Sequence, residues 1–183
     1  MAMRYHTERL RAALSDITAG DEILLSGTIY TARDAAHLRI MQALEDGMPL
    51  PFPVQDAIIY YAGPTQALPG WPVGSCGPTT SGRMDRFAPR LLDLGLLAMI
   101  GKGERSEAVC QAITRNGAAY FCAIGGAGAL AAKCIKSLEV IAYEDLGCES
   151  VKRLQIEDFP VICAIDGKGG NLFQEGRKKY EKV

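Results

Sequence analysis

Two periodicities alternate along this chain. Leu10, Leu14 and Ile17 recur at helical spacing, behind Thr7 as a candidate cap and ahead of Gly20 as a stop. Glu22-Ile23-Leu24-Leu25-Ser26-Gly27-Thr28-Ile29-Tyr30 is rich in branched and aromatic residues and predicts a strand, with Gly27 as a bulge. Ala36, Ile40 and Leu44 return to helical spacing, closed by Gly47. Strands are then predicted over 57–62, 96–100 and 119–124. Helices are predicted after Met84 (through Phe87, Leu91 and Leu92), over 104–116 with Gly117 as the stop, and over 129–132. Beyond that the alternation ends. Residues 138–143, 151–156 and 160–165 predict three strands in a row, 166–171 a turn, and 174–183 a charged tail that frays or lies on the surface. Strand–helix alternation followed by strands alone predicts an α/β fold, a layered domain with a mixed sheet. No repeat of fold size is visible, so 1–183 reads as a single domain with its core at about 7–171.

Composition narrows the function classes. The chain has 183 residues, 48% of them hydrophobic and 22% charged, which is ordinary for a globular domain with a full core. A net charge of -1 gives no reason to expect nucleic acid or an acidic membrane as a partner. There is no run of 18 apolar residues and no apolar signal-peptide core after Met1, so a cytoplasmic location is expected. Six cysteines lie more than ten residues apart, with no C-x-x-C pair, which argues against a zinc ribbon or a thioredoxin-type pair. Most of the six sit in apolar company. Cys76 abuts a polar loop and is a candidate reactive thiol, although no histidine is near it in sequence to activate it.

The densest chemistry is Gly77-Pro78-Thr79-Thr80-Ser81-Gly82-Arg83-Met84-Asp85. Three hydroxyls sit between two glycines, ahead of helical spacing. A loop that opens a helix offers unpaired backbone N–H groups to an anion, and a hydroxyl there can equally serve as an N-cap; the residues alone leave both open. Gly-Pro-Thr also occurs at Gly63, so two similar loops could face each other across 63–82, a segment long enough to suggest function. Arg33 opens the second helix, where a cation is unfavourable. It needs a carboxylate such as Asp34 or an anionic ligand, whereas Asp34 suits that position. Gly101-Lys102-Gly103 ends a strand without the Walker pattern, leaving Lys102 either solvated or pointed into a site. Gly125-Gly126-Ala127-Gly128 lacks dinucleotide spacing, so close packing of helix on strand is its simpler reading. His37 is a general base by residue type, but its helical position after Arg33 argues for a supporting role.

Five segments in order resemble one family: Thr31-Ala32-Arg33-Asp34-Ala35-Ala36-His37, Tyr61-Ala62-Gly63-Pro64, Gly77 through Asp85, Gly101-Lys102-Gly103, and Ile124-Gly125-Gly126. The family is the beta subunit, or C-terminal domain, of the iron–sulfur hydro-lyases that include class I fumarase and L(+)-tartrate dehydratase. The resemblance runs from about Thr7 to about Asn171. It implies a swivelling β/β/α-type domain and reversible hydration of fumarate to malate. It also implies an alpha subunit that carries a [4Fe–4S] cluster, with two alpha and two beta chains in a heterotetramer. No cofactor or metal is then expected on this chain, and none of its activity without the partner. By motif, Arg33 and Arg83 would hold substrate carboxylates, and Thr79 and Thr80 would lie against the substrate. Thr79 would transfer a proton and Lys102 would steer charge, while Asp34, His37 and Ser81 would support them. Two alternatives stay open: a tartrate dehydratase beta subunit, and a non-catalytic anion-binding regulatory domain.

Overall fold

Period-two burial drives the strands of this chain into one mixed sheet. The computed structural model describes residues 2–181. Among them, seven strands form that sheet: β1 (Met3–His6), β2 (Glu22–Thr31), β3 (Ile58–Tyr60), β4 (Ala98–Gly101), β5 (Ala119–Cys122), β6 (Ile135–Ala142) and β7 (Val151–Ile165). The helices are α1 (Leu10–Ala13), α2 (Asp34–Glu45), α3 (Ala88–Asp93), α4 (Glu107–Asn116), α5 (Gly128–Lys133) and α6 (Leu172–Tyr180). β2, β3, β4 and β5 pair in parallel, and β7 runs antiparallel to both β5 and β2. The pairings therefore close into a ring. β1 extends it alongside β2, and β6 alongside β7. None of the helices among the described residues is long and apolar enough to cross a membrane.

Alternation along each strand splits the core into two parts. Ile23, Leu25 and Ile29 of β2, Tyr60 of β3, Ile100 of β4 and Phe121 of β5 join Leu154 and Phe159 of β7 in one buried cluster. Residues one step out of phase, such as Ile59, Met99 and Tyr120, face α2, α3 and α4 in the other. A one-residue slip in any strand would exchange the two sets, so the pattern pins the register.

The mixed sheet, the bulge and the helix stops at Gly47 and Gly117 agree with the sequence reading. Register shifts between Leu25 and Gly27, and Gly117 ends α4 in the left-handed region (φ 57°). Four local expectations change. Thr7 is not a cap; its Oγ1 accepts the Thr28 N–H at 3.0 Å across the bulge, where a Cβ on Gly27 would lie 2.3 Å from that oxygen. The segments 151–156 and 160–165 are one strand. Asp158 takes φ 47° opposite the β2 bulge, and Phe159 and Pro160 resume pairing with Leu25 and Leu24. α1 ends at Ala13 with Leu14 as its C-cap, so that helix stops short of Ile17 and of Gly20. The charged tail does not fray but is helix through Tyr180; it lies on the surface as the sequence also allowed, with no buried residue, and is capped by Asn171 Oδ1, which accepts the N–H groups of Phe173 and Gln174. Residues 182–183 of that tail lie outside the described residues.

Crowding at Gly101 gives a test of this packing. A Cβ there would lie 1.9 Å from Ser81 Oγ and 3.1 Å from the Tyr61 ring. Gly101→Ala is expected to lower stability by about 2 kcal/mol or more in urea unfolding. Gly176→Ala in α6, where a Cβ meets open space, should instead be neutral or stabilising by up to about 1 kcal/mol.

Candidate active site

Because β2, β3, β4 and β5 are parallel neighbours, their C-terminal ends share one edge of the ring. Arg33 follows β2 by two residues, Lys102 follows β4 directly, and Gly125 follows β5. The polar loop reaches the same edge by a longer route. Residues 63–82 leave β3 and fold back on themselves: Thr65 and Ser75 exchange hydrogen bonds at 2.9 and 2.8 Å, and Ala62 bridges Pro78. The two Gly-Pro-Thr stretches thus meet at the base of a stem, with Leu68 and Trp71 exposed toward its tip.

Residues 78–81 then lie between the continuations of β3 and β4. The Thr79 N–H donates to the Tyr61 carbonyl at 2.7 Å, and the Ser81 N–H to the Lys102 carbonyl at 2.9 Å. Ser81 Oγ is buried and accepts from the Lys102 N–H at 3.1 Å, while the Tyr120 hydroxyl lies 2.9 Å from it. This corrects the N-cap reading of the loop and narrows the anion reading to fewer free amides. Two of its amides are used by neighbouring strands, Thr80 makes no side-chain cap, and only a single 3-10 turn (Ser81–Met84) follows before α3. Thr80, Arg83 and Lys102 are exposed on this face and Thr79 is half-buried. A Cβ on Gly125 would stand at ordinary contact distance from Lys102, 3.5 Å from Cδ and 3.9 Å from Nζ, so the loop after β5 runs beside that side chain.

Two arginines converge on one carboxylate. Asp34 Oδ1 accepts from Arg83 Nε at 2.8 Å, and Asp34 Oδ2 lies 3.9 Å from Arg33 Nη2. Arg33 Nη2 also faces Glu149 Oε1 at 3.2 Å, and Glu149 Oε2 accepts the Ala35 N–H at 3.1 Å. The start of α2 is therefore capped from a loop 114 residues away rather than by its own N-cap side chain. Arg33 is 19% exposed and Arg83 51%, so both remain open to solvent on one side. Either explanation for Arg33 offered by the sequence is compatible with this geometry, since carboxylates orient it while part of it stays accessible.

Asp85, the last residue of the polar motif, is structural. Its Oδ1 accepts from Arg105 Nε at 2.7 Å, and its Oδ2 accepts the N–H of Ser106, the N-cap of α4. The Arg105 side chain is fully buried between the Tyr61 and Tyr120 rings, 5.3 and 4.8 Å from their centroids. Nothing in the local sequence marks Arg105 or Glu149, because each acts through a partner distant along the chain. Cys76 is buried, and that burial pushes its thiol up to about 12, which excludes the reactive thiol. His37 is fully buried. Its Nδ1–H donates to the Arg33 carbonyl at 2.8 Å, and its ring packs on Phe87 and Tyr61. Desolvation lowers its pKa to about 4, so it is a neutral brace under Arg33 rather than a base facing the open surface.

The family model described as Fumarase C-terminus matches residues 2–176. The chain is 40% identical over 170 residues to the anaerobic class I fumarate hydratase of Escherichia coli K12, covering 92% of this chain and 31% of that protein. It is 43% identical over 153 residues to the mitochondrial fumarate hydratase 1 of Leishmania major, covering 82% of this chain and 28% of that protein. It therefore spans about a third of the length of these relatives. It is also 35% identical over 189 residues to a putative L(+)-tartrate dehydratase subunit beta of Methanocaldococcus jannaschii, covering 99% of this chain and 97% of that protein.

The buried imidazole sets a pH dependence. The folded value of about 4 lies below the ordinary 6.5 that unfolding restores. Between these values the unfolded chain binds the proton and the native chain does not. The contribution is thus complete above pH 6.5 and is lost as pH falls toward 4, about 3 kcal/mol in all. Urea unfolding from pH 7 to 4 should show this fall, and His37→Asn should flatten it. An equally steep His37→Asn profile would assign the acid sensitivity to other groups.

Proposed function

The chain belongs to the Fumarase C-terminus family, and from that premise we propose that it supplies the dicarboxylate-binding and proton-transfer half of a hydro-lyase site. Its partner is an iron–sulfur alpha subunit, in a heterotetramer of two alpha and two beta chains, and the reaction is reversible hydration of fumarate to malate in the cytoplasm. The observation that carries this reading is the Arg33–Asp34–Arg83 cluster beside Thr79, Thr80 and Lys102, on a face left open to solvent. Two neighbouring guanidinium groups, Arg83 hydrogen-bonded to Asp34 and Arg33 facing Glu149, suit a ligand with two carboxylates, since each fork matches carboxylate geometry.

Removing the proton next to a carboxylate builds charge on that carboxylate, and fixed cations stabilise it as it forms. In this reading Arg33 and Arg83 hold the two carboxylates and Thr80 lies against the ligand. Thr79 exchanges the proton, with the Lys102 ammonium favouring the anionic side of that exchange. Asp34, His37 and Ser81 keep the contacting groups in place. Among the described residues no three of His, Cys, Asp or Glu gather to hold a metal, and the six thiols are free and dispersed. A [4Fe–4S] cluster does not fit on these residues, and the reading puts it on the partner.

The subunit beta relative, matched over nearly its whole length, favours a second reading in which the substrate is L-tartrate. Tartrate differs from malate by a hydroxyl, and one buried polar contact left unpaired can discriminate strongly between such substrates.

Anaerobic reconstitution with the alpha subunit, assayed on fumarate, malate and tartrate, tests both readings. Activity should require both chains; fumarate hydration by this chain alone would overturn the half-site. In the complex, Thr79→Ala should lower kcat about a hundredfold or more with assembly intact. Arg83→Ala should raise KM by roughly tenfold or more. Unchanged turnover would remove Thr79 from the proton step, and an unchanged KM would make Arg83 structural.

A further inference from the structure

Arg33 is held in place by a carboxylate from the far end of the chain, and that carboxylate is itself clamped. Glu149 ends the 3-10 stretch Glu144–Glu149 that joins β6 to β7. Three residues later, Lys152 is 5% exposed inside the sheet. Its ammonium lies 3.0 Å from the Gly147 and Cys148 carbonyls, 3.1 Å from the Ser150 carbonyl and 2.7 Å from Ser150 Oγ. It thereby gathers the carbonyls flanking Glu149 around one charge. The Lys152 N–H also donates to Thr31 Oγ1 at 3.2 Å, tying the loop to the end of β2 two residues before Arg33.

Both oxygens of Glu149 are committed. One accepts from the Ala35 N–H at the start of α2, and the other faces Arg33 Nη2. A Cβ at Gly63 would come within 2.9 Å of Arg33 Nη1 and 3.3 Å of its Cδ, so the Gly63 backbone lies close against the Arg33 side chain. Arg33 is thus bordered by Gly63 and by the Glu149 carboxylate. Its Nε is buried without a partner, so that atom does little to orient it. We propose that Glu149 is the positioning residue for Arg33, and that the buried Lys152 clamp sets where Glu149 stands. The geometric claim stands on these contacts alone, while its consequence for substrate rests on the dicarboxylate reading above.

The sign of the effect separates positioning from simple charge competition. A carboxylate that only repelled an incoming dicarboxylate would, on neutralisation, tighten binding. A carboxylate that orders Arg33 would, on neutralisation, weaken it, because the guanidinium must then be ordered at the moment of binding.

Two measurements test this, one on the chain and one on the reconstituted complex. In the 15N-arginine-labelled chain, the Arg33 Nε–Hε heteronuclear NOE, assigned by its loss in Arg33→Lys, should be high. It should drop in Glu149→Gln and in Lys152→Met. An Arg33 signal that stays as ordered in Glu149→Gln overturns the proposal whatever the activity. In the reconstituted complex, Glu149→Gln and Glu149→Asp should each raise KM for fumarate about tenfold with kcat changed less than about threefold. Glu149→Asp keeps the charge but shortens the reach, so a rise in both variants isolates position from charge. In the Arg33→Lys background neither substitution should raise KM further. A fall in KM, or a rise that persists undiminished in that background, overturns the proposal. If Lys152→Met does not fold, the two Glu149 variants decide the matter. If Arg33 loosens as expected but the complex hydrates no dicarboxylate, positioning stands and the hydro-lyase reading falls.

Discussion

Four residues, 78–81, lie between the backbones that continue β3 and β4, and the candidate site depends on that placement. The Tyr61 and Lys102 carbonyls take two amides of the segment, and the buried Ser81 hydroxyl takes the Lys102 N–H in return. Buried backbone groups must find partners, so the segment is held as firmly as a sheet strand although it belongs to a long loop. Gly101 permits it, because a side chain there would overlap Ser81. The result is a threonine pair on a rigid base, where a mobile loop would have had to be ordered on binding.

Charge is arranged around this base in an alternating row: Glu149, Arg33, Asp34, Arg83. The two carboxylates order the two guanidiniums without covering them. Partly exposed ion pairs contribute little to stability, which leaves their orienting effect as the more telling one. The buried pair of Arg105 and Asp85 is of another kind. It ties the polar loop to the start of α4 under the site, and loss of Asp85 would leave the Arg105 charge stranded between two tyrosine rings. His37 completes the support by remaining neutral while it pins the Arg33 carbonyl.

Much of this was legible in the residues, and what was not has a physical reason. The bulge at Gly27 and the stop at Gly117 follow from local chemistry that needs only near neighbours. The union of 151–156 with 160–165 did not, because Asp158-Phe159-Pro160 resembles a turn until β2 supplies its complementary bulge. Thr79, Thr80, Arg33, Arg83 and Lys102 could be named by motif and do gather at one edge. Glu149 and Arg105 could not be, since an ion pair across twenty or a hundred residues leaves no periodic trace, and Lys152 could not because its partners are mainly backbone carbonyls, which carry no side-chain signature. The polar loop was misread for a related reason: a glycine-flanked hydroxyl run ahead of helical spacing suggests a helix start, and only the neighbouring strands reveal that two of its amides are already taken.

The arrangement links fold to function through one edge of a ring of strands, where separate connections deliver cations and hydroxyls to an open face. An open face suits a chain that spans about a third of the length of its fumarate hydratase relatives. The most direct measurement is a crystal structure of the assembled two-chain complex with an unreactive dicarboxylate such as succinate. The expected result is one carboxylate on Arg33, the other on Arg83, Arg83 still on Asp34 and Arg33 on Glu149, and Thr79 facing the carbon between them. A dicarboxylate seated elsewhere, or touching neither arginine, would contradict the two-arginine site.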